Sequence, residues 1–217
     1  MPTIRQVKIE PNATEVGQTP HTLGLNLGWS KTEQEAVERT LAKYPATQQR
    51  SAVIPLLHLA QRKCGGWLPV DAMQLVADTL SLPYIRVYEV ATFYTMFNLQ
   101  PVGTHHVQVC TNCACLIRGS DAIVSAVKHT TGVAHNGETS ADGQFTLTEV
   151  ECLGACVAAP MMQISIGTGG THYYTHLTPE KTTEILTHLA NGGDPAKYAD
   201  TAPTAESDPI HNGKYGA

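Results

Sequence analysis

The chain has 217 residues, with 14 Lys and Arg against 19 Asp and Glu, for a formal net charge of −5. That length allows one large domain or two small ones and needs no disulfide scaffold to replace a core. The negative balance argues against nucleic-acid binding, which requires clustered Lys and Arg.

Charged residues are 15% of the chain, below the roughly 25% of an average soluble domain. This fits a subunit that hides surface against partners. No apolar run approaches the ~20 residues that span a bilayer. Met1-Pro2-Thr3-Ile4-Arg5-Gln6-Val7-Lys8 lacks the apolar core of a signal peptide and the look of a transit peptide. The expectation is a soluble, unexported chain, in which six cysteines read as ligands or catalysts rather than disulfides.

Residues 1–29 are polar with scattered Gly and Pro and read as an irregular arm. Ser30-Lys31-Thr32-Glu33 spells a capping box, and Ala36, Val37 and Leu41 follow at helical spacing before Pro45. Residues 47–63 form a second helical stretch that either kinks at Pro55 or starts near it, and Gly65-Gly66 stops it. A third helix runs from Asp71 to Leu80. A fourth opens at Leu82-Pro83, with Pro83 in its first turn, and continues into Phe93-Tyr94-Thr95-Met96-Phe97. Residues 30–103 therefore read as a helical bundle. Phe93, Tyr94 and Phe97 are either a docking surface or core joining two domains, and aromatic area favours core.

After Pro101-Val102-Gly103 the period changes. His106 to Val109 alternates as a strand, and Leu116 to Thr131 has helical spacing up to Gly132. Residues 133–144 read as a loop. Phe145 to Val150, Met162 to Ile166 and His172 to His176 read as strands, with Gly167-Thr168-Gly169-Gly170 as a hairpin turn rather than a phosphate loop. Thr178-Pro179-Glu180 opens a last helix, which Asn191-Gly192-Gly193 ends. The order β-α-β-β-β-α makes residues 104–192 a small α/β layer and the whole chain α+β. Residues 193–217 form a polar tail without periodicity, either disordered or strapped on another protein.

Cys110 and Cys115 form a C-x4-C pair, and Cys152 and Cys156 a C-x3-C pair. The first pair follows the first strand and the second pair follows the second strand. A β-α-β crossover makes those strands parallel, so both pairs fall at one sheet edge. Four soft thiolates suit a [2Fe–2S] cluster, which takes two per iron. Free N–H groups around Ala114 to Leu116, and a backbone uncrowded by side chains at Leu153-Gly154-Ala155, could face such an anion. A four-cysteine zinc site is an alternative, with Cys110 and Cys113 as a tighter knuckle. A thiol oxidoreductase using Cys110-Thr111-Asn112-Cys113 is another, but it leaves Cys152 and Cys156 idle. His105 and His106 read as surface or strand residues, Cys64 as an apolar helix-end residue and Cys113 as a bystander. No GxGxxG fingerprint is present.

Several segments resemble one family. Val109-Cys110-(x4)-Cys115-Leu116-(x2)-Gly119 and Glu151-Cys152-Leu153-Gly154-Ala155-Cys156-Val157-(x)-Ala159-Pro160-Met161 are similar to the two signatures of the small [2Fe–2S] subunit of respiratory complex I, NADH:quinone oxidoreductase, the 24 kDa family. Gly66-Trp67-Leu68, Val87 to Tyr94, Phe97 to Gly103 and Leu177-Thr178-Pro179-Glu180-Lys181 continue the likeness in order, over roughly residues 30–192.

The resemblance implies a helical bundle followed by a thioredoxin-like domain with a four-stranded sheet. It implies a [2Fe–2S] cluster on Cys110, Cys115, Cys152 and Cys156, with no catalytic residue on this chain. It further implies a flavoprotein partner that holds FMN, the NADH site and a [4Fe–4S] cluster, alongside other peripheral-arm subunits. The place would be the cytoplasmic face of a bacterial inner membrane, or the matrix side in a eukaryote, reached through the complex and without membrane insertion. Similar subunits serve NAD(P)-linked hydrogenases and formate dehydrogenases, which remain alternative hosts.

Overall fold

A computed structural model describes residues 22–24, 26–167 and 170–200. The expected arm before residue 22, the middle of the Gly167–Gly170 turn and the tail from residue 201 lie outside the described residues. The chain divides into two units, Met1–Val102 and Gly103–Ala217.

The first unit is helical: α1 (Lys31–Leu41), α2 (Val53–Lys63), α3 (Val70–Leu80) and α4 (Tyr84–Phe93). The capping box at α1 is present in both directions, with the Glu33 amide donating to Ser30 Oγ and the Ser30 amide to Glu33 Oε2. Lys63 reaches the same carboxylate at 2.9 Å. Burial would raise the Glu33 carboxyl, but hydrogen bonds from Lys63 and Ser30 hold it below its usual range. A 3-10 segment, Ala46–Ala52, precedes α2. Pro55 therefore sits in the first turn of α2, where a missing N–H breaks no helical hydrogen bond. The core gathers Val37, Leu56, Leu57, Leu68, Met73, Val76 and Val87.

Two expectations fail in α4. Pro83 is its N-cap, not part of its first turn, and the helix ends at Phe93, with Tyr94 already extended at ψ 117°. The following turn is held from elsewhere. Gln61 Nε2 donates to the Met96 carbonyl, the Asn98 amide to Gln61 Oε1, and the Leu68 amide to the Asn98 carbonyl. Helical periodicity cannot register such long-range bonds. Phe97 is buried, but Phe93 is 77% exposed and Tyr94 38%. Phe97 therefore belongs to the core of the first unit, while Phe93 and Tyr94 lie at its surface.

The second unit carries β1 (His105–Cys110), α5 (Cys113–Ile117), α6 (Ser120–Thr131), β2 (Phe145–Val150), β3 (Met162–Ile166), β4 (Thr171–Tyr174) and α7 (Pro179–Ala190). The strand order is β2-β1-β3-β4, with β1 and β2 parallel and the other pairs antiparallel. The Ile166 amide donates to the Gly170 carbonyl across the β3–β4 hairpin. Helix α6 packs on β1, β2 and α7, and Val107, Val109, Ile123, Val127, Leu147, Ile164, Ile185 and Leu186 form the core between them.

The expected helix over 116–131 is broken. Gly119 stands at φ 91° between α5 and α6, in a region that glycine enters without steric cost. Leu116 counted toward the apolar stripe but is half exposed. Strand β4 stops short of His176, which turns at φ 48° while its amide donates to the Ala158 carbonyl. His105 and His106 are buried strand residues, and His106 Nε2 meets Thr148 Oγ1 at 2.8 Å. Residues 194–200 lie against the second unit. The Tyr174 hydroxyl donates to the Pro195 carbonyl, the Tyr198 hydroxyl to Glu184 and the Asp200 amide to the Tyr173 carbonyl.

Candidate metal centre

Cys110 ends β1 and is the register partner of Val150, which ends β2. The Thr111 amide extends the pairing to the Val150 carbonyl at 3.0 Å. Two residues past Val150 the chain reaches Cys152. On the other side Asn112 starts α5, its carboxamide oxygen accepting from the Cys113 amide and its carbonyl from the Leu116 amide. One helical turn then brings Cys115 back under the edge. The sheet thus delivers both cysteine loops to one place.

The four thiols divide by depth. Cys110 and Cys115 are buried with Ala159 and Met161, while Cys152 and Cys156 are exposed. Cys152 and Cys156 Sγ lie 3.9 Å apart. Cys115 and Cys110 share a side-chain hydrogen bond, and both Cys110 and Cys156 are near enough to Cys115 to disfavour its charge. Burial first, and the Cys110 thiol second, push Cys115 up to about 11. The Cys152 contact likewise raises Cys156. Thiols crowded in this way resist ionising together, and a bound cationic centre is what would hold them as thiolates. Among the described residues no three His, Cys, Asp or Glu side chains gather tightly enough for a single metal ion.

The loop backbone supplies a donor. Gly154 stands at φ 81°, and its amide points at Cys152 Sγ at 3.4 Å. The residues tying the loops together were not legible in the sequence. Arg118 Nε donates to the Ala159 carbonyl at 2.8 Å, the Cys110 amide to Met161 and the Leu177 amide to Pro160. The Tyr173 hydroxyl donates to the Leu153 carbonyl at 3.0 Å. A lone Arg or Tyr carries no spacing signal.

The neighbouring surface is apolar: Val157 is 99% exposed and Ile117 84%, with Leu116 and Tyr173 also exposed. Cys113 opens α5 and is exposed. Cys64 is buried at the end of α2, where burial pushes its thiol up to about 11, as an apolar helix-end residue would have it.

The family model for the thioredoxin-like [2Fe–2S] ferredoxin matches residues 37–190. The E subunit of NADH-quinone oxidoreductase from Rickettsia bellii (strain RML369-C) is 50% identical over 166 residues, 76% of this chain and 96% of that protein. Its counterpart of the same name from Rickettsia felis (strain ATCC VR-1525 / URRWXCal2) is 46% identical over 169 residues, 78% of this chain and 98% of that protein. Among solved structures, an NAD+-reducing [NiFe]-hydrogenase in the H2-reduced state superposes with a TM-score of 0.57 at 17% identity. That match covers 71% of this chain and 24% of the hydrogenase chain, and it speaks to the fold alone.

Proposed function

The chain belongs to the thioredoxin-like [2Fe–2S] ferredoxin family, and from that premise we propose that it is the electron-transfer subunit of an NADH:quinone oxidoreductase. Its ligands in this reading are Cys110, Cys115, Cys152 and Cys156. The observation that carries the reading is the register of Cys110 with Val150, which brings both cysteine pairs to one sheet edge. The donor set fits the cofactor, because two contacting pairs of thiols suit two irons.

When bound, the cluster supplies reversible one-electron storage. Cys110 and Cys115 hold it from the buried side, and Cys152 and Cys156 from the solvent side. The Gly154 amide, directed at Cys152 Sγ, offsets the negative charge of the thiolates. The exposed side chains of Ile117, Val157 and Leu116 give this edge an apolar rim on which a partner can seat. The partner we assign is the FMN- and NADH-binding flavoprotein subunit, with FMN as the electron-exchange partner. Among the described residues no helix is long and apolar enough to cross a membrane. The chain would reach the cytoplasmic face of the membrane, or the matrix side in a eukaryote, through its complex.

The test is anaerobic purification with iron and sulfide counting and EPR before and after dithionite. About two irons per chain and a signal only after reduction support the reading. A colourless zinc protein that takes up no iron and sulfide overturns it. Co-purified subunits distinguish a quinone reductase from a hydrogenase or formate dehydrogenase.

A further inference from the structure

Tyr173 stands on the edge strand β4, outside the cysteine motifs. Its backbone is fixed from two sides: it pairs with Gln163 on β3, and its carbonyl accepts from the Asp200 amide at 2.8 Å. Its side chain is 37% exposed, and its hydroxyl donates to the Leu153 carbonyl at 3.0 Å. That carbonyl belongs to the same peptide unit as the Gly154 amide. In a planar trans peptide the C=O and N–H point in opposite directions. Holding the Leu153 oxygen on one side therefore aims the Gly154 N–H to the other, where Cys152 Sγ lies at 3.4 Å.

We propose that Tyr173 is a positioning residue for the metal centre, acting through the Leu153–Gly154 peptide to aim and polarise the amide that donates to Cys152. The inference rests on the assignment of Cys152 and Cys156 as ligands. Glycine at φ 81° is conformationally loose, so this peptide needs an external anchor to keep its orientation. Accepting a hydrogen bond at the carbonyl makes the amide of the same unit a stronger donor. An N–H donated to a ligand sulfur stabilises the more negative, reduced state and raises the reduction potential. Tyr173 thereby influences electron affinity without touching sulfur or iron.

The variant is Tyr173→Phe in the full-length chain, which keeps the ring and removes only the hydroxyl. Wild type and variant are reconstituted with iron and sulfide. Three quantities are compared: midpoint potential by EPR-monitored titration, cluster release to a chelator, and the Tm of metal-free protein. The expected result is a more negative potential and roughly fivefold faster release, with Tm unchanged. An unchanged potential overturns the inference, and a lowered Tm with unchanged potential reduces Tyr173 to a brace for β4. If the wild type binds its cluster and the variant matches it, this inference alone fails. If the wild type takes up no iron and sulfide, the ligand assignment fails and this inference with it.

Discussion

Cys110 and Val150 face each other as the last residues of two parallel strands. The pairing sets the centre's dimensions. A one-residue slip would turn every β2 side chain to the opposite face and move Cys152 along the strand axis by about 3.3 Å. Register is protected because Leu147, opposite Val107, is fully buried on the core face.

Cys152 and Cys113, both exposed, separate ligand from bystander. Cys152→Ala is expected to abolish the reduced-state EPR signal, while Cys113→Ser is expected to keep it, because Cys113 lies outside the two contacting pairs. EPR and iron counts on both variants check this. A full signal in Cys152→Ala would mean that Cys152 is not required.

Strands β2 and β3 were legible residue for residue, because alternating apolar residues have a period that does not depend on distant contacts. The capping box at Ser30 and the Thr178-Pro179 start of α7 were legible for the same reason: their chemistry is local. The end of α4 was not, because the turn after Phe93 is set by Gln61 and Leu68, far away in sequence. At the site, the ligand candidates were visible as cysteine spacing. The clamps Arg118 and Tyr173 were not, since each acts through one hydrogen bond to a backbone carbonyl.

The break at Gly119 has a signed test. In a continuous helix Gly→Ala would stabilise by about 0.5–1 kcal/mol. At φ 91° with nothing within 4 Å of the added Cβ, the cost comes from the backbone alone, about 1–2 kcal/mol. Gly119→Ala should therefore lower the stability of the metal-free protein in chemical denaturation. A gain would mean that α5 and α6 are one helix.

His106 makes stability depend on pH. Burial pushes its imidazole down to about 4 from an ordinary 6.5, so the folded ring stays neutral while the unfolded one takes a proton. The unfolded state binds more protons between these values, so stability is fully present above about pH 6.5 and falls as pH drops toward 4. From pH 7 to 4.5 the loss is about 2 kcal/mol. Burial also lowers His105, so the comparison is with His106→Gln, which keeps His105 and does not titrate at this position. Urea denaturation of metal-free protein at both pH values should show the wild type losing about 2 kcal/mol more than the variant. Equal losses would show that residue 106 does not carry the effect.

The apolar rim separates docking from folding. Val157 is 99% exposed, on the 3-10 turn that opens with Cys156, so the fold draws almost nothing from its side chain. Val157→Asp should leave stability within about 0.5 kcal/mol of wild type, as surface substitutions usually do. On a partner surface the same change buries a carboxylate in an apolar contact, which is costly unless a counter-charge is present. The expected outcome is an unchanged Tm and cluster signal in the isolated chain, with reduced co-purification of the flavoprotein subunit from cells expressing the complex. Undiminished co-purification would place the partner's contact elsewhere on the chain.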